Sequence, residues 1–317
     1  MKRLLLAFGF ILALAGCGRG GEGDEAVLHI GSQRGGTKAV MLASGVMEGA
    51  PYKVEWSEFP AAQHLLEAIG SGAVDVGLVG DAPFMFAYQS GGRVKAIGAQ
   101  YVKERPEGAL ALLVPAGSKI RTLADLKGKT VATGRGSVGH YLIIRALAAA
   151  NLPADYVKIS FLPPGDAKAD FDSGSVDAWS TWAPYTSATI REGARTIVDG
   201  HDFVRGYGFD VANVESVKAK HALLADFLKR EAQALEWKRA HNEEFAAVMA
   251  KETGLPIEIA RDYGAKNGRQ SVPIDAEIIA DQQRVLDDFR NAGAIEGKRK
   301  LADGFDTSFN TKVATAN

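Results

Sequence analysis

The sequence is very poor in cysteine: Cys17 is the only one among 317 residues. A disulfide needs two cysteines, so packing alone must hold the fold together. Zinc sites built from several cysteines are excluded for the same reason. Because Cys17 lies so near the N-terminus, we expect it outside the folded part. That part therefore has no thiolate that could act as a nucleophile.

Several other signals are missing. The 37 Lys and Arg against 38 Asp and Glu leave a net charge of −1, so no basic excess points to nucleic acid. The six histidines are scattered, and none shows the H-E-x-x-H spacing of a zinc enzyme. No G-x-S-x-G elbow offers a serine nucleophile. We therefore expect a protein that binds, without catalytic residues, metal or cofactor.

The N-terminus carries an export signal. Lys2 and Arg3 precede the apolar run 4–14, which is too short to span a bilayer, and the small residues before Cys17 fit a cleavage site. We predict a signal peptide over residues 1–16. Leu-Ala-Gly-Cys also resembles the lipobox of bacterial lipoproteins, which implies lipidation of Cys17; an ordinary signal peptide is the alternative. Residues 17–26 are Gly-rich and charged, so we expect a flexible leash.

From Ala26 onward, strand and helix patterns alternate. Strand patterns at 27–30, 52–57 and 74–79 are separated by helical patterns at 38–47 and 61–69. This alternation is typical of an α/β domain with a largely parallel sheet.

The pattern then starts again with a strand at 129–133 and a helix at 141–150. Two motifs repeat in the same order and at nearly the same spacing. Ser-Gly-Ala-Val-Asp at 71–75 matches Ser-Gly-Ser-Val-Asp at 173–177, and the turn at 32–36 has a counterpart at 134–138. We therefore predict two lobes of similar topology.

Two lobes require crossings between them. The strand patterns at 110–114 and 207–212 flank the second repeat, and we predict that they serve as hinge strands. Lobe 1 then comprises 27–112 and 209–317, with the C-terminal helices, and lobe 2 comprises 113–208.

The turn after the first strand of lobe 2 fits G-x-G-x-x-G over 134–139. A dinucleotide site would need an acidic residue at the end of the next strand, which instead reads Phe161-Leu162-Pro163. A Gly-rich turn that opens a helix still presents free N–H groups and a positive dipole. This turn, with Gly136 and Ser137, is therefore a candidate site for a small anion; a merely tight turn is the alternative.

Other candidate site residues follow the strands. Trp179 and Trp182 lie at a strand end and could cover the apolar part of a ligand, or pack in the core instead. Gly80 and Asp81 occupy the corresponding strand end of lobe 1, where Asp81 either caps the next helix or shapes the site. His140 is the one histidine at a predicted site, although a place on the helix surface without a ligand role is equally open.

Together these features resemble the substrate-binding lipoproteins of ABC importers, specifically the aliphatic sulfonate and taurine group. The resemblance covers 27 to about 303. It rests on the ordered set Ile-Gly-Ser-Gln-Arg-Gly at 30–35, Glu-Phe-Pro-Ala at 58–61, Val-Gly-Asp-Ala-Pro at 79–83, Leu-Ala-Asp-Leu-Lys-Gly-Lys at 123–129 and Asp-Ala-Trp-Ser-Thr-Trp at 177–182.

The resemblance implies a two-lobed fold of the type II periplasmic-binding class, with two hinge strands. It also implies a monomer that delivers its ligand to permease subunits and is held at the membrane on the periplasmic side or cell surface. The ligand-binding residues that it implies are Gln33, Gly35, Gly80, Asp81, Gly136, Ser137, His140, Trp179 and Trp182.

We therefore expect a small organosulfonate bound between the lobes. One departure is visible, because Ala183 stands where the family often has Asp. Three alternatives remain open. The same fold could bind nitrate, an aromatic sulfonate or carboxylate, or a pyrimidine or vitamin precursor. It could also be an enzyme, or a membrane-tethered sensor.

Overall fold

The computed structural model describes residues 26–103 and 106–312, without the side chains of 311 and 312. The predicted signal peptide, Cys17 and nearly all of the leash lie outside the described residues. No helix in the described part is long and apolar enough to cross a membrane.

Strands and helices alternate as predicted through both repeats. The strands are β1 Val27–Gln33, β2 Lys53–Phe59, β3 Val76–Gly80, β4 Val94–Val102, β5 Leu110–Val114, β6 Thr130–Thr133, β7 Lys158–Phe161, β8 Ala178–Trp182, β9 Arg195–Asp199, β10 Gly208–Asn213 and β11 Arg269–Val272. The helices are α1 Thr37–Ser44, α2 Ala62–Ser71, α3 Asp81–Gln89, α4 Val138–Ala149, α5 Pro164–Ser173, α6 Tyr185–Arg191, α7 Val214–Ala219, α8 His221–Ala240, α9 Asn242–Thr253, α10 Ile257–Lys266 and α11 Ala276–Asn291. Short 3₁₀ helices lie at Leu123–Leu126, Gly200–Asp202, Leu301–Gly304 and Thr307–Lys312.

The strands form two sheets. One has six strands in the order β11-β4-β10-β3-β1-β2, and the other has five in the order β7-β6-β8-β5-β9. Each contains three parallel strands followed by an antiparallel pair. If β11 is set aside, the two orders are the same, with β1 corresponding to β6, β3 to β8 and β10 to β5. The predicted α/β fold with two similar lobes is confirmed.

The repeated Ser-Gly-x-Val-Asp motif has the same structural role in both lobes. Gly72 and Gly174 end α2 and α5 with φ of +83° and +78°, which favours glycine. Three residues later, Asp75 accepts a hydrogen bond from the His29 N–H at 2.8 Å, and Asp177 accepts one from the Thr130 N–H at 2.9 Å. Each aspartate therefore holds the first part of the middle strand among the three parallel strands of its sheet.

The chain crosses between the sheets earlier than predicted. β5 pairs with β8 and β9, so residues 110–112 belong with the second sheet rather than with lobe 1. β10 pairs with β3 and β4, so Gly208 belongs with the first sheet. The chain therefore crosses between the sheets after β4 and again after β9. The strand patterns predicted as hinges are inner strands of one sheet each, and every residue of β5 and β10 is buried.

The lobes also contact each other through side chains. Tyr141 of α4 donates a hydrogen bond to the Asp288 carboxylate of α11 at 2.8 Å. Ser187 of α6 donates to Asp262 of α10. The Gln63 amide of α2 donates to the Arg135 carbonyl at 2.9 Å. These contacts join the lobes around the cavity that lies between them.

Candidate functional site: a cationic cavity between the lobes

A cavity of about 830 Å³ lies between the two sheets. Its walls include the turns after β1, β2 and β3 of lobe 1 and the turns after β6, β7 and β8 of lobe 2. These are the carboxyl ends of the parallel strands, where α/β sheets characteristically bind ligands. The repeated topology therefore brings two such edges face to face.

Six of the nine predicted ligand residues line this cavity: Gln33, Gly35, Gly80, Asp81, Ser137 and Trp182. Gly136, His140 and Trp179 are not part of its wall. From lobe 1, the Gln33 side chain donates from Nε2 to the Leu78 carbonyl at 3.1 Å, which ties the end of β1 to β3.

Asp81 is the first residue of α3 and is 3% exposed. Its Oδ1 accepts a hydrogen bond from the Ala82 N–H at 2.8 Å, so it contacts the start of the helix and also lines the cavity. Burial raises the pKa of Asp81 to about 6, although the Ala82 N–H and the charge of Arg269 oppose that rise. Asp81 is thus a carboxylate that is costly to ionise.

Replacing Asp81 with asparagine has a pH-dependent effect on stability. Because the folded pKa is raised, the favourable contribution of Asp81 is fully present below about pH 4 and is lost as the pH rises through 6. The free energy of unfolding of Asp81→Asn relative to wild type should therefore increase by about 2–3 kcal/mol between pH 4 and pH 7.5. Denaturant unfolding at both pH values measures this. A difference that stays constant would contradict the raised pKa.

In lobe 2, the predicted anion turn leads into α4. Gly136 has φ +63°, and a Cβ there would lie 2.7 Å from the Phe86 ring, so the turn requires glycine. Ser137 caps the helix, accepting from the His140 N–H at 3.2 Å. This leaves the N–H groups of Val138 and Gly139 without partners inside the helix. The turn therefore offers polar groups to the cavity through Ser137 and Val138, which both line it.

His140 supports this turn from behind. It is 3% exposed and lies between the rings of Phe161 and Phe289, with centroid distances of 4.9 and 5.4 Å. Its Nδ1 accepts a hydrogen bond from the Gly136 N–H at 3.3 Å. Burial, with a smaller contribution from the charge of Arg135, lowers the pKa of His140 to about 4. The structure thus places a neutral core histidine where the sequence suggested a donor to the ligand.

The two tryptophans have different surroundings. Trp179 is 1% exposed and packs against Phe171 and Tyr185, with ring centroids 6.0 and 5.9 Å away. Trp182 is part-exposed at the cavity wall, edge-on to Tyr185 at 6.2 Å. Residues three apart on a strand point to opposite faces, so one strand cannot present both indoles to one ligand. Of the pair, only Trp182 is available to a ligand in the cavity.

The cavity is rich in cations that the sequence reasoning missed. Its ionisable wall residues, apart from histidine and tyrosine, are Arg34, Asp81, Arg135, Arg205, Glu231, Lys238, Lys266 and Arg269. Six are basic, although burial lowers the pKa of Lys238 to about 7. Burial raises the pKa of both acidic residues. Such a wall favours an anionic ligand.

Arg34 and Arg135 are the most informative of these cations. Both are exposed, and neither forms an ion pair within the described residues. Arg34 donates to the Thr253 carbonyl at 2.7 Å, and the Arg135 guanidinium lies 3.9 Å over the Phe161 ring. They occupy equivalent positions in the repeat, because the same offset relates His29 to Thr130. Each lobe thus contributes one uncompensated guanidinium to the cavity.

Two kinds of catalytic centre are not found among the described residues. No group of three His, Cys, Asp or Glu side chains in the described part of the chain could hold a metal ion. Ser137 has a hydroxyl, but its oxygen caps α4 and lies 3.3 Å from the Thr133 hydroxyl, with no base in contact.

Residues 37–253 match the model of the NMT1-like family. This chain belongs to that family. An Escherichia coli relative named for aliphatic sulfonate binding is 34% identical over 289 residues, which is 90% of each chain. The resemblance to sulfonate-binding proteins is confirmed.

Solved structures agree with this assignment. The alkanesulfonate-binding protein SsuA from Xanthomonas axonopodis pv. citri, bound to MOPS, superposes with a TM-score of 0.81 at 30% identity, covering 89% of this chain and 98% of that one. The desulfurization enzyme DSZB shares the fold with a TM-score of 0.67, covering 91% and 98%, but is only 15% identical. The fold alone therefore supports both binding proteins and enzymes.

Proposed function

We propose that this protein is the substrate-binding component of an ABC importer, and that it captures a small organosulfonate between its lobes. The observation that carries the proposal is the pair Arg34 and Arg135, which face one cavity from opposite lobes without carboxylate partners. A sulfonate has three oxygens, so it can accept hydrogen bonds from both lobes at once. Trp182 lies in the same wall and covers the organic part of the ligand.

Binding across two lobes also explains how the protein would signal occupancy. A ligand held by both guanidinium groups favours the arrangement in which the lobes are close together. That arrangement presents a surface made of both lobes, on which permease subunits would dock. The protein makes and breaks no bond in this role, and it works as a monomer.

We place the protein on the periplasmic side of a membrane or at the cell surface, tethered through a lipid on Cys17 after removal of residues 1–16. The basis is the N-terminal sequence described above. Membrane fractionation of the wild type and of Cys17→Ala tests the tether. Recovery of the wild type in the soluble fraction would exclude it.

Calorimetry with a panel of small anions tests the ligand class. We expect methanesulfonate, ethanesulfonate and butanesulfonate to bind, with affinity rising as the chain lengthens, because Trp182 buries more apolar surface. The matched carboxylates should bind more weakly, since they have two oxygens to share between the lobes instead of three. Nitrate should bind more weakly because it has no organic part to contact Trp182. Tighter binding of a carboxylate or of nitrate would move the protein to another ligand class, and conversion of a sulfonate would show an enzyme.

A further inference from the structure

The cavity extends into lobe 1 between β4, α1 and α8. Three polar side chains from these elements line this part of the wall: Thr37 at the start of α1, Gln100 on β4 and Glu231 on α8. They are 5%, 0% and 1% exposed, respectively. Polar groups buried this deeply are normally hydrogen-bonded, because an unpaired one costs roughly 1–3 kcal/mol.

These three side chains break that rule together. Thr37 Oγ1, Gln100 Oε1 and Glu231 Oε2 form no hydrogen bond of ordinary geometry within the described residues, although Thr37 and Gln100 both lie within reach of the Glu231 carboxyl. The other end of the Gln100 amide is used, because Nε2 donates to Asp210 Oδ1 at 3.3 Å. That bond fixes the amide orientation and leaves its acceptor oxygen at the cavity wall. Three elements thus place three buried, unpartnered oxygens along one part of one cavity.

The chemistry of the cluster selects its partner. All three free atoms are oxygens that can accept hydrogen bonds, and the Thr37 hydroxyl and a protonated Glu231 carboxyl can also donate. The Glu231 carboxyl lies beside the buried Asp210, and burial together with the Asp210 charge raises the Glu231 pKa. The Asp210 charge would repel a second anionic group, whereas a group that donates hydrogen bonds would satisfy the Gln100 oxygen, which can only accept.

We propose that Thr37, Gln100 and Glu231 form a second polar subsite, which binds a hydroxyl or amino group on the organic end of the sulfonate. The inference rests on the proposed function and narrows it to sulfonates that carry a hydrogen-bond donor. Thr37 lies three residues after Arg34, so the subsite adjoins the cationic end of the cavity. The preferred ligands are therefore short.

Matched ligand pairs test the subsite in the full-length protein. Isothermal titration compares 2-hydroxyethanesulfonate and 2-aminoethanesulfonate with propanesulfonate, which is similar in size but lacks a donor. We expect at least one donor-bearing ligand to bind about tenfold or more tightly than propanesulfonate. A hydrogen bond to an otherwise unpaired buried acceptor changes the affinity by about that factor. Comparing the affinity of the hydroxyl ligand with that of the amino ligand shows which kind of donor the subsite prefers.

Two variants locate the effect. Thr37→Val removes one free oxygen with little change in shape, and we expect the ratio of donor-bearing to plain sulfonate affinity to fall severalfold. Thr189→Val is the matched control, because Thr189 Oγ1 is also buried and unpartnered but lies away from the cavity wall. The ratio should be unchanged in that control, and thermal melting verifies that both variants fold.

The outcomes separate this inference from the proposed function. If plain and donor-bearing sulfonates bind equally well, the subsite is refuted while the sulfonate function stands. If the preference exists but survives Thr37→Val, its origin lies elsewhere and the subsite is also refuted. If no sulfonate binds at all, both proposals fail.

Discussion

Replacing Arg135 with glutamine should lower sulfonate affinity by about 10- to 100-fold, which corresponds to roughly 1.5–3 kcal/mol for a hydrogen bond to a charged group. The guanidinium has no carboxylate partner within the described residues, so the ligand loses a full positive charge and a planar pair of donors. Glutamine retains one donor but cannot supply the charge.

Arg121→Gln is the appropriate control, because Arg121 is exposed on the same lobe and is not part of the cavity wall. We expect unchanged affinity in that variant. Calorimetry gives the affinities, and thermal melting reports the fold. Arg34→Gln should resemble Arg135→Gln because the two residues occupy equivalent positions. Wild-type affinity in both arginine variants would show that the anion binds elsewhere in the cavity.

The two tryptophans should respond oppositely to truncation. Trp182→Ala should weaken ligand binding by about 1–3 kcal/mol, because the indole is part of the cavity wall. Trp179→Ala should lower the free energy of unfolding by about 3–5 kcal/mol, because it leaves a void beside Phe171 and Tyr185.

Each variant serves as the control for the other. Chemical denaturation and calorimetry on both proteins give stability and affinity separately. Full affinity in a folded Trp182→Ala would mean that the indole belongs to the core. A loss of affinity in Trp179→Ala, measured without denaturant and well below the melting temperature of that variant, would mean that the cavity wall includes both rings.

The two lobes could be predicted because their signals are local. The alternation of patterns and the repeated Ser-Gly-x-Val-Asp motif depend on turns and strand starts, and the structure shows Asp75 and Asp177 in the same role. The opposite orientations of Trp179 and Trp182 also followed from the two-residue period of a strand. The family resemblance implies that both contact the ligand, but the two-residue period of a strand turns the two indoles to opposite faces.

Other parts of the site could not be predicted in this way. Arg135 lies inside the G-x-G-x-x-G turn, but the motif is defined by its glycines and does not indicate a role for the residues between them. Glu231, Lys238 and Arg269 come from α8 and β11, far along the chain from the repeated turns. They reach the cavity only because these elements pack beside β4, and no local pattern indicates that packing. His140 is neutral because of the rings around it, which again depends on tertiary contacts.

The shared topology of the lobes has a consequence for how a ligand is oriented. Superposing the repeats by their aspartates aligns Trp182 of β8 with Gly80 of β3, two residues that both line the cavity. The two guanidinium groups occupy equivalent positions in the two lobes, but at this position one wall carries an indole and the other has no side chain at all. An anion without an organic tail would have no preferred direction along the cavity. A molecule with an organic tail has a single favourable direction, and the difference between the two lobes sets it.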